Sequence, residues 1–380
     1  MRFGWSDEQL QLTDMLHRFV ADEHDFDHRR RRLRTADGSR TWSQLAELGL
    51  MALPFPEEMG GLSGSMLDIA LVLEGLGRGL VIEPYVPTVI LAGGVLRRVA
   101  LTEQIGDVIA NIADGKLRAA FAHGEAEGRY CRSYCATRAK EYGDAWRIDG
   151  QKSMVFGADE ADLLIVLARS GGNVCDESGL NLFIIDRNAP GLSFRPVRNI
   201  DGSGAAEVVL DGVSVPAAAR IDNGANTFTI LNAVLDDACV AACAEMCGGA
   251  TMLNTKTLAY LQERKAFGQE LAGFQVLQHR LVDMKVAQEQ CSAITLKAAQ
   301  AIAEGHSAAA HTVAAAKHLV SEEARMIAKE AVQLHGAIGV TDELDISHYF
   351  RRIAVLANAF GDADHHLGRY AARQHPREAV

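Results

Sequence analysis

An α+β architecture, helical at both ends with a β region between, follows from three features of this 380-residue sequence. Apolar residues recur at helical spacing up to about Lys116. From Leu117 to about Asp222 short apolar or alternating runs are separated by turn residues, and beyond Asn223 the chain becomes alanine-rich with long helical periods. The expected domains are an N-terminal helical domain (1–116), a middle β-barrel or sandwich domain (117–222) and a C-terminal four-helix bundle (223–380).

In chain order, Ser6 with Gln9 three residues on has the form of a capping box, and Leu10, Leu12, Met15, Leu16 and Val20 follow at near-helical spacing. The segment from Leu53 through Pro54 and Pro56 to Gly61 breaks the pattern, which resumes over Ile69–Leu80 and Val95–Ile112. In the middle region Trp146–Gly150, Leu163–Ala168, Leu182–Asp186 and Ala206–Leu210 are strand candidates. Asp149-Gly150, Gly171-Gly172, Pro190-Gly191 and Asp211-Gly212 have the composition of turns. The last region predicts long helices over Thr227–Gln262, Gln275–Glu304 and Ser307–Leu334, which suit a bundle with oligomer contacts.

Composition narrows the function. A net charge of -11 argues against nucleic-acid binding, and the five arginines within Arg29–Arg34 are expected on a solvated helix face or at a subunit contact. The seven cysteines lack a paired C-x-x-C pattern and no signal peptide precedes them, so a reducing cytoplasm is the expected location, without disulfides. Cys239, Cys243 and Cys247 fall four apart on one helix face and are expected to pack rather than bind metal. No apolar run is expected to reach the roughly 18 to 20 residues that span a bilayer, so a soluble protein without membrane association is expected.

The strings Arg264-Lys265-Ala266-Phe267-Gly268, Phe274-Gln275-Val276-Leu277-Gln278 and Ala331 to Gly339, in that order, resemble acyl-CoA dehydrogenases. Pro54–Gly61, Ile148–Lys152 and Phe350-Arg351-Arg352 add to the resemblance, which covers nearly the whole chain. Ala120–His123, Phe274–Arg280 and Phe360–Leu367 are most similar to the small-subunit type of pimeloyl-CoA dehydrogenase.

The resemblance implies an FAD-dependent α,β-dehydrogenation of an acyl-CoA thioester in fatty or dicarboxylic acid catabolism. It also implies electron-transfer flavoprotein as the electron acceptor, and a partner that is a homologous subunit or a second copy. Carried over, Arg264, Phe267 and Gln275 reach a neighbour's FAD, and the loop Gln333, Leu334, His335, Gly336 and Ala337 holds its ADP half. A guanidinium suits a pyrophosphate, and glycine lets backbone approach one. The ring pocket departs from the family's pattern. The stretch Ala122–Arg129 keeps only Gly128 of the usual flavin-bonding segment, and Met154-Val155-Phe156 stand where the family has tryptophan, isoleucine and threonine.

Chemistry of this kind needs a base to remove the α-proton. The two positions that carry it in the family hold Phe360 and Ala238. Asp236 survives from the pattern that positions the thioester, with Cys239 where its arginine should be. The expectation is therefore a base-less subunit of a heteromeric enzyme, with FAD bound at the interface. The rivals are a self-sufficient homo-oligomer using Asp237 or Asp362 as base, and a cofactor-free scaffold.

Overall fold

The computed structural model describes residues 4–222 and 226–374, so the expected boundary at Asn223 lies outside the described residues. Helices α1 (Asp7–Glu23), α2 (Phe26–Thr35), α3 (Ser39–Glu47) and α4 (Met66–Arg78) precede a π-helix, Val86–Ala92, that runs into α5 (Gly93–Leu96), and α6 (Glu103–Ala113) follows. The middle region contains β1 (Ala119–Ala122), β2 (Arg138–Tyr142), β3 (Ala145–Phe156), β4 (Leu163–Arg169), β5 (Leu180–Asp186), β6 (Leu192–Arg198) and β7 (Gly204–Pro216). Beyond it come α7 (Thr227–Glu263), the hairpin β8 (Lys265–Ala266) and β9 (Gln269–Glu270), then α8 (Gln275–Ala303), α9 (Ala309–His335), α10 (Ile346–Asn358) and α11 (Ala363–Gln374).

The chain divides into two compact units. One holds the N-terminal stretch to Asp37, Ser65–Val81 and the C-terminal stretch from Cys239. The other holds Gly38–Gly64 and Ile82–Ala238.

In the first unit Ser6 forms the expected capping box with Gln9 at the start of α1. The core gathers Met246, Met284, Ile327 and Ile353, all almost fully buried, each burial contributing about 1.5–3 kcal/mol. Helices α4 and α7 cross closely through two glycines. A Cβ on Gly77 would lie 2.2 Å from the Glu245 carbonyl oxygen, and one on Gly248 2.0 Å from that of Glu74. Arg352 closes this crossing with hydrogen bonds of 2.6 and 3.0 Å to the two carboxylate oxygens of Glu245. The arginine run is not wholly a solvated face: Arg29 is 4 % exposed and donates to the Leu80 carbonyl at 3.0 Å, while Arg30, Arg31 and Arg34 face solvent.

In the second unit the β region is one seven-stranded sheet in the order β1-β4-β2-β3-β7-β6, with β5 paired to β4. Two of the expected turns are corrected. Asp149-Gly150 and Asp211-Gly212 lie inside β3 and β7, facing one another where the ladder shifts register between Ile148 and Gly150. The Asp149 carboxylate accepts from the Gly212 N–H at 2.7 Å, so the pair is a bulge that bends the sheet without ending its strands. The helix expected over Val95–Ile112 is likewise broken at Arg97–Thr102, because the Thr102 hydroxyl caps a new helix by accepting from the Ile105 N–H.

Helix α7 corrects the expectation about membranes. By length and composition it is apolar enough to cross one, and 78 % of its apolar stretch is buried, as in the core helix of a folded domain. Its cysteines Cys239, Cys243 and Cys247 are all buried there.

Candidate functional site

Within the first unit, the ends of α7 and α9 come together. Tyr260 stacks on His335 with ring centroids 4.4 Å apart, and its hydroxyl donates to the His335 carbonyl at 3.4 Å. Arg264 follows Tyr260 by one helical turn, so this contact brings Arg264 to the end carrying Gln333–Ala337. Arg264, Gln275 and Gln333 are exposed, and their side chains have no hydrogen-bond partner among the described residues. Phe267 tops the β8–β9 hairpin at φ 53° and is 92 % exposed, edge-on to Phe274. Gly336 ends α9 at φ 66°, and a Cβ added there would meet nothing within 4 Å, so its backbone is open to approach from outside. Leu334 and His335 turn inward instead, and what they offer a ligand is backbone alone. Burial holds His335 below its ordinary range against the pull of the Ala331 carbonyl, which its Nδ1 meets at 2.8 Å.

The turn between α10 and α11, in the same unit, is built differently. Phe360 sits at φ 59°, and its carbonyl accepts from His366 Nε2 at 3.1 Å. Gly361 follows at φ 114°, where a Cβ would lie 2.6 Å from His366 Nε2, so only glycine fits. Beneath them Lys317, with no exposed surface, donates to the carbonyls of Leu356 (3.1 Å), Ala357 (2.9 Å) and Gly361 (3.1 Å). Burial lowers the Lys317 pKa, and burial followed by Lys317 itself lowers that of His366 to about 2. His366 is therefore neutral and donates through Nε2. Asp362 caps α11, its carboxylate accepting from the His365 N–H at 2.8 Å.

In the second unit two carboxylates on α7 are already engaged. Asp237, 1 % exposed, receives Arg97 at 2.6 Å and Arg98 at 2.7 Å on the same oxygen, Oδ2. Asp236 receives Arg132 at 2.7 Å, and Arg132 also donates to the Asn232 side chain at 3.1 Å. Ala238 is fully buried. A carboxylate clasped by two guanidiniums has little freedom to collect a proton from carbon, which counts against Asp237 as a base.

Near the end of β1, Glu125 and Lys152 form a buried pair at 2.7 Å. Glu125 also accepts from the Ala136 N–H, the Thr137 N–H and the Thr137 hydroxyl. Burial alone would raise the Glu125 carboxyl, but Lys152 and Thr137 outweigh it and hold the group below its ordinary range. Lys152 reaches the His123 carbonyl as well, at 3.3 Å. Burial first, then Lys152 and Arg132, push the His123 imidazole down to about 3, so it too is neutral. Met154 is 41 % exposed at φ 50°, and its N–H donates to Glu207.

The description "Acyl-CoA dehydrogenase, N-terminal domain" matches residues 6–116, the middle domain of the same family matches 120–213 and its C-terminal domain matches 228–375. This chain belongs to the acyl-CoA dehydrogenase family. Among its relatives, the probable acyl-CoA dehydrogenase YngJ of Bacillus subtilis is 29% identical over 330 residues, or 86% of this chain and 87% of that protein. A variant of the Tcur3481-Tcur3483 steroid ACAD superposes with a TM-score of 0.85 at 26% identity, covering 96% of this chain and 97% of that one. The FAD complex of PigA shares the fold, with a TM-score of 0.92 at 24% identity over the full length of both chains.

The acyl-CoA dehydrogenases are FAD-dependent oxidoreductases, and FAD is the cofactor here. In this member, Arg264, Gln275, Gln333 and the open backbone at Gly336 are able to bond a nucleotide's phosphates. Met154 and Phe156, expected from the resemblance at the ring side, offer no side-chain hydrogen-bond donor. Three features escaped the sequence reading: Tyr260, Lys317 and the Arg97–Arg98 pair. Tyr260 alone left a trace, four residues before Arg264.

Proposed function

We propose that this chain is the base-less subunit of a heteromeric acyl-CoA dehydrogenase, of the kind found as the small subunit of pimeloyl-CoA dehydrogenase. On this reading it lends Arg264, Phe267, Gln275 and the Gln333–Ala337 loop to FAD seated in a homologous partner. FAD, when bound, supplies the acceptor for the hydride that leaves the acyl Cβ. This chain's own residues bind and orient: Arg264 neutralises pyrophosphate charge, Gln275 and Gln333 donate to its oxygens, and Gly336 admits close backbone approach. No residue at 360 or 238 takes the α-proton, since phenylalanine and alanine have no basic atom.

The observation that carries the reading is the open state of Arg264, Gln275 and Gln333. Three exposed polar side chains with no partner among the described residues stand at family positions for the neighbour's cofactor, while both base positions are apolar. The two-part name of the Tcur3481-Tcur3483 relative is in keeping with a two-component assembly.

Co-expression with a neighbouring homologous reading frame, followed by the flavin-to-protein ratio, tests it. One FAD per unlike pair is expected, with no turnover by this chain alone. Stoichiometric FAD and acyl-CoA turnover in the isolated chain would refute it in favour of a homo-oligomer, for which Asp362 is then the carboxylate to replace.

A further inference from the structure

We propose that the α1–α2 corner is an acid-operated latch, shut over two imidazoles, His24 and His348, and opened when they take up protons. Helix α2 has little else to hold it. Arg29 is its only fully buried residue, and the outward Arg30 and Arg34 lie one turn apart as like charges. A helix so sparsely packed can open at low cost in free energy while the rest of the domain stays folded.

The attachments of the corner run through rings. Phe26 stands edge-on to His348 of α10 with centroids 5.1 Å apart, and His28 packs on His24 at 4.6 Å. His24 also packs on Phe19 of α1 at 4.9 Å, and Arg29 donates to the Leu80 carbonyl just past the end of α4. His348 is 3 % exposed, and neither of its ring nitrogens has a hydrogen-bond partner among the described residues; the buried Nε2 of His24 has none either. A proton added at these nitrogens finds no acceptor within hydrogen-bond reach while the corner is closed.

The surrounding charges do not make up for that. His348 faces Arg29 and Arg351 on the one hand and Asp342 and Asp345 on the other, and Asp342, with an oxygen 3.7 Å from Nε2, is exposed and paired with Arg351. His24 faces His28 and Arg29 against Glu23 and Asp25. Burial tips both balances and holds each imidazole down to about 4 in the closed corner, from an ordinary 6.5. Protons therefore favour the open corner as pH falls from 6.5 toward 4, and its population should grow about tenfold or more for each histidine between pH 7 and pH 5.

Hydrogen exchange of the full chain, followed by mass spectrometry at pH 7, 6 and 5 and corrected for the intrinsic pH dependence of amide exchange, tests this. Protection of Phe26–Thr35 should fall about a hundredfold from pH 7 to pH 5, while Ala309–His335 keeps its own. That window lies above the ordinary range of carboxyl groups. His348→Phe keeps a ring against Phe26 but binds no proton, and it should remove about tenfold of the fall; His24→Gln, at the less buried site, should remove another tenfold. Protection of α2 that does not change with pH, a fall shared equally by α9, or a fall that survives both substitutions would overturn the latch. Should His348→Phe fail to fold, His24→Gln decides alone, and an undiminished fall in that variant counts against the proposal. The measurement needs neither FAD nor a partner subunit, so its outcome is independent of the proposed dehydrogenase role.

Discussion

The two ends of the C-terminal unit treat polar groups in opposite ways. At the Tyr260–His335 end, the exposed Arg264, Gln275 and Gln333 side chains have no hydrogen-bond partner among the described residues, and a Cβ on Gly336 would meet nothing within 4 Å. At the Phe360–Gly361 turn the polar groups beneath the backbone are sealed: a lysine with no exposed surface bonds three carbonyls, and a buried imidazole bonds a fourth. One end leaves side-chain donors open among the described residues, while the other turns the Lys317 ammonium and the His366 imidazole onto backbone carbonyls. The open end is equipped for something outside the chain, and the sealed end holds up its own backbone.

The sharpest way to break that contrast is Lys317→Met. The change keeps the length of the side chain but strips the donor from three buried carbonyls, and about 3 kcal/mol or more of stability should be lost in a urea unfolding curve. A loss below about 0.5 kcal/mol would mean the turn does not depend on its lysine. Next in size, Gly361→Ala places a Cβ against His366 at a left-handed φ, and about 2 kcal/mol should go in the same measurement.

Acidification probes the sealed end in another way. The folded pKa of His366 is depressed to about 2 from an ordinary 6.5, so the unfolded chain takes up the proton first. Its contribution is thus complete above pH 6.5 and is lost as pH falls toward 2, at up to about 1.4 kcal/mol per pH unit. His24 and His348 (each to about 4) and His123 (to about 3) are also lowered by burial and share this window. The check is therefore the difference in slope: unfolding free energy should fall less steeply below pH 6.5 in His366→Gln than in the unaltered chain. Glu125, whose folded pKa is also depressed, adds a loss of the same sign only below about pH 4.3.

The smallest effect on stability belongs to the open end. Arg264→Ala should change the unfolding free energy by less than about 0.5 kcal/mol, because nothing among the described residues is bonded to that guanidinium. The flavin content of the assembled pair should nonetheless drop, since a charge-assisted bond to phosphate is worth about tenfold or more in affinity. A pair that keeps its flavin with Arg264→Ala would make the open end a structural remnant.

Much of the fold was legible because local rules and global packing agree. The Ser6–Gln9 capping box formed as expected, and the long helices end within about two residues of where alanine-rich periodicity stops. Where local signals misled, packing had overruled them. Asp-Gly pairs that signal turns became facing bulges once β3 and β7 were paired, and an apolar α7 that could pass for a membrane span is wrapped in its own protein.

The sequence by itself determined the order of helical and β regions, the family, and the apolar residues at 238 and 360. These depend on periodicity and on residue chemistry at short range. Only the tertiary structure decided that Lys317 is buried, that Asp237 is clasped by Arg97 and Arg98, and that Tyr260 joins two helix ends. Such facts depend on residues 39 to 140 positions apart meeting in space. A lysine on an alanine-rich helix reads the same whether water or three carbonyls surround its ammonium, and the difference lies wholly in what folds against it.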